Sequence, residues 1–144
     1  MEILTIICIG LMTGVELCVA VFINPIFAQL PDDARNIATS LGAKQLGRAM
    51  PFWYVSSLLL LIAEGIAHRL SPQVHLIWAA SLIWIVVIIL TIVFLVPINN
   101  RIASAAPSAF TEKLRQEHDR WNLLHRWRVV ALVVAMALFL LGLA

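Results

Sequence analysis

The sequence predicts an all-α fold: a bundle of four transmembrane helices, with a cytoplasmic amphipathic helix leading into the fourth. Of the 144 residues, 62% are hydrophobic and only 12% are charged, against about 45–50% and about 25% in soluble domains. Four apolar runs are each long enough to cross about 30 Å of hydrocarbon. None of these runs alternates apolar and polar residues as barrel strands do. Helices are therefore the predicted way to satisfy the backbone in lipid.

We expect a single domain over residues 1–144, with helices at about 3–27, 51–68, 75–96 and 121–144 and an amphipathic segment at about 108–120. Asn24-Pro25 and Val96-Pro97 are expected to close helices one and three, because proline disfavours the α conformation of its predecessor. Pro51 is expected in the first turn of helix two, where its missing donor costs nothing. The N-terminal run lacks a basic region and a cleavage pattern, which indicates a retained helix.

Lys and Arg are distributed unevenly along the chain. All of them except Arg69 lie in two segments, residues 28–50 and 98–128. The positive-inside rule places these two loops in the cytoplasm and both termini outside an inner or plasma membrane. The basic residues are then explained by topology and by the lipid bilayer as partner, and no nucleic acid is expected.

Glu16 lies near the middle of the first apolar run. An unpaired charge at that depth costs about 3 kcal/mol or more, so such a residue is a functional candidate. On a helical projection Thr5, Thr13, Glu16 and Asn24 share one side, which should face the bundle interior. The pattern places no basic residue at the depth of Glu16. We therefore expect a protonated, hydrogen-bonded carboxyl there and not half of a buried ion pair.

Two further pairs lie on helix one. Gly10 and Gly14 have the G-x-x-x-G spacing that lets another helix approach closely, and this leaves two interpretations, packing within the bundle or a homo-oligomer interface. Cys8 and Cys18 are on the same helix and cannot pair with each other in one chain, so we interpret them as small packing residues.

Polar side chains from separate segments are predicted to meet in one layer near the cytoplasmic side. A histidine there can act as a general base, amides can hold an oxyanion, and arginine can hold an anionic oxygen. The candidate catalytic residues are His125, Arg128, Asn99 and Asn100, and the candidate substrate-binding residues are Glu16, Asn24, Trp121 and Tyr54. The alternative is that this layer only satisfies helix ends.

Metal ligation has less support in the sequence. One carboxylate and one histidine on different helices fall short of the usual three or four ligands, and H-x-x-x-H, C-x-x-C and E-x-x-H spacings are absent. His125 or His68 could serve as an axial haem ligand, so no cofactor is assigned. On helix two, Glu64 and His68 lie one turn apart, and a mutual ion pair would explain them.

Four motifs together resemble the anthrone-oxygenase-like family of small membrane proteins. They are Asn24-Pro25, Gly47 with Met50-Pro51, Val96-Pro97-Ile98-Asn99-Asn100-Arg101, and Trp121-x-x-Leu124-His125-x-x-Arg128. The resemblance covers nearly the whole chain in order and spacing. It implies a four-helix membrane fold and, in the polyketide pathways that name the family, oxidation of an anthrone carbon to a quinone with molecular oxygen as co-substrate.

Carried over by position, the resemblance implies a role for each candidate. His125 would be the base that removes the acidic carbon proton. Asn99, Asn100 and Arg128 would hold the phenolate oxygens, and Trp121 would stack on the rings.

Three hypotheses follow from the sequence. The first is an oxygen-dependent oxidase or monooxygenase of a flat, lipophilic phenolic or quinone-like substrate, which requires a cavity between the helices. The second is a non-enzymatic membrane scaffold or a ligand- or proton-binding subunit that oligomerises through helix one. The third is a haem- or metal-binding membrane protein.

Overall fold

The computed structural model describes residues 1–106 and 110–144. It contains four long helices, which we number α1 to α4: Glu2–Ala28, Asp32–Ala67, Val74–Ser104 and Glu112–Leu143. All four are long and apolar enough to cross a membrane. The predicted fold class is confirmed, and we treat the chain as an integral membrane protein.

Both termini and the turn between α2 and α3 lie at one end of the bundle, which we call the terminal end. The α1–α2 junction and the α3–α4 junction lie at the other, which we call the basic end. Helix α2 contacts α1 and α3, and α4 contacts the same two helices from the opposite side. The bundle core includes Met12, Leu61, Trp84 and Phe139. Large apolar side chains such as Phe52 face outward, as a lipid-facing surface requires.

Helices α1 and α3 continue through the prolines that were predicted to close them. In α1 the π-helical turn Val19–Ile23 precedes Asn24–Ala28, and in α3 the π-helical turn Thr91–Leu95 precedes Val96–Ser104. A proline ring clashes with the carbonyl four residues earlier and donates no hydrogen bond. A π turn shifts bonding to the residue five positions away and so accommodates the proline. Proline therefore closes neither helix: α1 ends at Ala28, next to the predicted residue 27, whereas the predicted end of helix three near residue 96 was wrong.

Helix α2 is a single helix from Asp32–Ala67 with Pro51 inside it. The prediction of a separate helix beginning at Pro51 was wrong, because packing against α1 and α3 outweighs the lost backbone bond. Asp32 and Asp33 lie in the first turn, where acidic side chains favour the helix N-terminus.

The predicted amphipathic segment and the fourth helix form one helix, α4. Its N-cap is Thr111, whose hydroxyl accepts from the backbone N–H of Leu114. The predicted start at residue 108 lies outside the described residues. Salt bridges fix this part of α4 to other helices: Arg115 pairs with Asp32 of α2 at 3.4 Å, and Glu117 pairs with Arg101 of α3 at 2.8 Å. The segment is therefore packed against the bundle.

The two glycines of helix one face different surroundings. A side chain at Gly10 would meet Met136 of α4 in the same chain, whereas Gly14 faces open space. Only Gly14 is therefore free to meet a second copy, and oligomerisation through this pair stays a prediction.

Candidate functional site

A cavity of about 250 Å³ lies between the four helices in the half of the bundle nearer the basic end. Both π-helical turns border it, through Val19 and Ile23 of α1 and Thr91 and Leu95 of α3. All eight sequence-predicted site residues line this cavity: Glu16, Asn24, Tyr54, Asn99, Asn100, Trp121, His125 and Arg128. The structure therefore brings them together, whereas their chemical roles stay predictions.

Glu16 is buried and forms an ion pair at the cavity wall. Its Oε2 lies 2.6 Å from a terminal guanidinium nitrogen of Arg128, and its Oε1 accepts a hydrogen bond of 2.9 Å from the Tyr54 hydroxyl. The expected hydrogen bond is present, whereas the expectation that Glu16 is not half of a buried ion pair was wrong. Arg128 lies on α4, and its side chain points into the bundle interior toward Glu16 of α1.

Arg128 is held by more than the carboxylate. Its second terminal nitrogen lies 3.5 Å from the Thr91 hydroxyl of α3, and its guanidinium lies 5.6 Å from the centre of the Tyr54 ring. Thr91 was missed by the sequence reasoning, which treated helix three as an apolar wall. The only signal is a hydroxyl in an apolar run, and it becomes informative once its neighbours on α4 are known.

His125 is buried beside this ion pair. Its Nδ1 lies 2.8 Å from Arg128 and 3.2 Å from Glu16 Oε2. If Nδ1 accepts from the guanidinium, the hydrogen of the neutral ring is on Nε2. If Nδ1 instead donates to the carboxylate, Nε2 has the free electron pair. The histidine is therefore coupled directly to the Glu16 and Arg128 pair.

Three rings on α4 form a continuous stack. Trp121 and His125 lie 4.8 Å apart between ring centres with planes 14° apart, and His118 and Trp121 lie 6.1 Å apart with planes 9° apart. His118 lines the cavity and was missed by the sequence reasoning. The signal was available, because spacings of three and four residues put His118, Trp121 and His125 on one helical face.

The three asparagines contribute differently. Asn99 donates its amide to the backbone carbonyl of Ala43 at 3.0 Å and lies against Gly47, where an added Cβ would be 2.7 Å from Asn99 Nδ2. One of its two amide hydrogens thus holds α3 against α2. Asn24 is half-buried and Asn100 is exposed, and both line the cavity.

Several buried polar atoms at the site have no protein partner. They are Nε2 of His125, Nε1 of Trp121, Nε of Arg128 and Nδ1 of His118. Buried nitrogens without a partner are uncommon in folded proteins, and such atoms call for a water or ligand. Within residues 1–106 and 110–144, no group of three or more His, Cys, Asp or Glu side chains could hold a metal ion.

A second polar cluster lies at the terminal end and is separate from the cavity. Glu64 is buried and accepts from the Thr5 hydroxyl at 2.8 Å, while His68 lies 3.5 Å from Glu64 and 3.0 Å from Glu2. The predicted Glu64 and His68 pair is therefore present, and its bonds explain the polar side of helix two in this region.

Comparisons with known proteins agree with this architecture. The family model for anthrone oxygenase matches residues 38–138, which include most of α2, all of α3 and most of α4. Comparison with curated proteins and with solved structures gave no match. Because the matched segment covers more than half of the chain, the protein belongs to the anthrone oxygenase family.

Proposed function

We propose that the protein is an oxygen-dependent oxidase or monooxygenase that converts an acidic ring CH₂ of a flat, lipophilic phenol into a carbonyl. The observation that carries the proposal is the buried Glu16, Arg128 and His125 network at the wall of a largely apolar cavity. The cavity volume, about 250 Å³, is slightly below the roughly 300–1,000 Å³ of small-molecule sites. A compact, flat ligand suits that volume.

The proposed reaction balances without a further reductant. A base removes one proton from the ring CH₂, and the electrons of that bond form an enolate. The enolate transfers one electron to molecular oxygen, and the two radicals combine into a carbon-bound peroxide, which takes up a proton. Loss of water from this peroxide, with the second hydrogen of the CH₂ leaving as a proton, gives the carbonyl. One oxygen atom enters the product and the other leaves as water.

His125 is the proposed base. This role requires the tautomer in which Nδ1–H donates to Glu16 Oε2, because Nε2 then holds a free electron pair and has no protein partner. Arg128 alone would oppose a positive charge on the ring, but its own charge is balanced by Glu16 at 2.6 Å. In this proposal the Glu16 carboxylate orients the imidazole by accepting from Nδ1–H.

The oxygen of the enolate requires a donor. The Arg128 guanidinium and the amides of Asn24 and Asn100 are the proposed donors, since all three line the cavity. Asn99 is a positioning residue in this proposal, because its amide donates to Ala43. Trp121 is the proposed aromatic contact for the substrate rings. Because His118 and His125 already stack on it, the part left for a substrate is the ring edge with the unpartnered Nε1.

We also propose that the basic end faces the cytoplasm, as the charge distribution predicts. The cavity would then lie in the half of the bilayer nearer the cytoplasm, where a lipophilic intermediate made by a cytoplasmic enzyme would partition.

The direct test uses the purified protein in lipid nanodiscs with 1,8-dihydroxyanthrone. The quinone product is followed by absorbance and oxygen by an electrode, and uncatalysed autoxidation is measured with empty nanodiscs. We expect one oxygen consumed per quinone at a rate well above the background. His125→Asn should lower the catalysed rate by roughly 10²–10⁴-fold, as loss of a general base does.

His75→Asn is the matched control, because His75 is an exposed histidine at the terminal end and its loss should leave the rate unchanged. A wild-type rate equal to the background with several phenolic ring-CH₂ compounds would refute the proposed activity. Equal rates for His125→Asn and wild type would refute the role of His125.

A further inference from the structure

The cavity reaches the outer surface of the bundle between α2 and α3. Three residues on α2 and three on α3 line the cavity and follow one another at four-residue spacing, which places each set on one helical face. They are Gly47, Pro51 and Val55 on α2, and Ile92, Val96 and Asn100 on α3. All except the half-buried Val96 are exposed. Side chains that are exposed outside and also border the cavity mark an opening.

Two hydrogen bonds between α2 and α3 lie on either side of this opening. Toward the terminal end, Trp84 of α3 donates its indole N–H to the backbone carbonyl of Tyr54 at 3.2 Å. Toward the basic end, Asn99 of α3 donates to the carbonyl of Ala43 at 3.0 Å. The α2 and α3 helices are thus fixed to each other on both sides of the opening.

Helix α2 contacts α3 on both sides of the π turn Thr91–Leu95 but scarcely at the turn itself. A π turn widens the helix locally and interrupts its regular packing face. The gap between α2 and α3 therefore lies at the level of this turn, which borders the cavity.

We propose that this opening, the α2–α3 window, is the route by which a substrate dissolved in the bilayer reaches the cavity. Val55 is 53% exposed and Ile92 is 61% exposed, and both belong to apolar runs that span the membrane. The window therefore opens toward hydrocarbon and admits a ligand that is apolar over most of its surface. Asn100 lies at the end of the window nearer the basic end, where a phenolic hydroxyl entering edge-on finds an amide. This inference rests on the proposed function for the identity of the substrate.

A second apolar groove lies on the other side of α3, between α3 and α4, and includes Val86, Leu90 and Trp127. Thr91, Leu95 and Arg128 border both the groove and the cavity. It is the competing route from the bilayer. Blocking the two openings separately distinguishes them.

The experiment places bulky side chains at the window and compares them with equally bulky side chains elsewhere. The blocked proteins are Val55→Trp, Ile92→Trp and the double variant. The controls are Leu59→Trp, which lies one turn further along α2 on the lipid side, and Val86→Trp in the competing groove. Binding of 1,8-dihydroxyanthraquinone to each protein in nanodiscs is followed by the visible emission of the ligand.

We expect the double variant to lower the association and dissociation rate constants together by at least ten-fold, while Kd changes less than three-fold. If a tryptophan filled the cavity itself, Kd would rise instead. The double variant Val55→Ala with Ile92→Ala keeps the window open and should associate at or above the wild-type rate. Unchanged rates in the double variant, or slower association in Val86→Trp alone, would overturn the proposal.

A second readout does not depend on the proposed function. A fatty acid with a diazirine at its chain end is added to the vesicles and photolysed, and labelled residues are identified by mass spectrometry. Labelling in wild type of Val19, a buried cavity residue that does not border the competing groove, supports the window if it falls at least ten-fold in the double variant. No labelling inside the wild-type cavity, or labelling that the double variant does not reduce, overturns it. Failure of the anthraquinone to bind wild type would count against the proposed function alone.

Discussion

Removing one partner of the Glu16 and Arg128 ion pair should destabilise the protein much more than removing both. The Glu16 side chain is 3% exposed and the Arg128 side chain 11% exposed, at a separation of 2.6 Å. Breaking a buried pair by removing one partner costs about 3–5 kcal/mol, because an uncompensated charge stays buried. We expect this loss for Glu16→Gln and for Arg128→Gln. The double variant should recover most of it, which gives a coupling free energy of at least about 2 kcal/mol.

The chain contains a matched control at nearly the same distance. Arg101 and Glu117 lie 2.8 Å apart, but their side chains are 52% and 23% exposed. Solvated pairs of this kind contribute about 0–1 kcal/mol. The equivalent cycle with Arg101→Gln and Glu117→Gln should therefore give a small coupling and small single losses.

The measurement is the free energy of unfolding in mixed detergent micelles, from titration with a denaturing detergent followed by circular dichroism. Equal coupling in the two cycles would refute the reasoning. In that case Glu16 would behave as a neutral, hydrogen-bonded carboxyl, which is what the sequence pattern alone predicts. A double variant less stable than both single variants would instead show that the positions of the Tyr54 and Thr91 side chains depend on the charges of Glu16 and Arg128.

Three further predictions concern packing, assembly and orientation. Gly47→Ala should lower the unfolding free energy by about 1–3 kcal/mol, because its Cβ would displace Asn99 from Ala43. Adding Asn99→Ala to this variant should lower it little further, and additive losses would contradict this reasoning. Gly14→Leu should leave the helical content unchanged but abolish any homo-oligomer seen by analytical ultracentrifugation in detergent, since Gly14 faces open space; an unaltered oligomer would exclude this face. In cells, Leu70→Cys at the terminal end should react with a membrane-impermeant maleimide and Asp33→Cys at the basic end should not, and the reverse pattern would invert the proposed orientation.

The polar side of helix one was predictable because helical periodicity alone determines it. Thr5, Thr13 and Glu16 are all buried, as the projection on a regular helix requires. The partner of Glu16 could not be found this way. The sequence interpretation assigned Arg128 to the cytoplasmic boundary of the bundle, whereas the packed structure pairs its side chain with Glu16 inside the bundle. Periodicity gives the face of a residue, while pairing also depends on side-chain reach and on how the helices are staggered.

The eight predicted site residues converge for a related reason. Each one interrupts or borders an apolar run. Because polar side chains are costly in lipid, those at the same depth of a bundle face its interior. The exact use of each one could not be predicted. Asn99 was expected to hold an oxygen of the substrate, but its amide donates to Ala43, since Gly47 leaves room for that contact. A close approach between two helices is a property of the pair and is not encoded in either sequence segment alone.

The two π turns explain why the same sequence both forms a bundle and keeps a cavity. A π turn holds one residue more than an α turn, so it rotates all later residues back by about 100°. In an unbroken helix Asn24 would lie about 80° from Glu16, and with the turn Val19–Ile23 it lies about 20° from it. The turn Thr91–Leu95 acts in the same way on Asn99 relative to Thr91. Each π turn thus places an asparagine on the same side of its helix as an earlier polar residue: Asn24 with Glu16, and Asn99 with Thr91. Because α1 and α3 run in the same direction on opposite sides of the bundle, both wider turns lie at one level, where the core would otherwise close. A scaffold that only needed stability would gain from two regular helices at this level, so the paired π turns favour an interior that is kept open for a ligand.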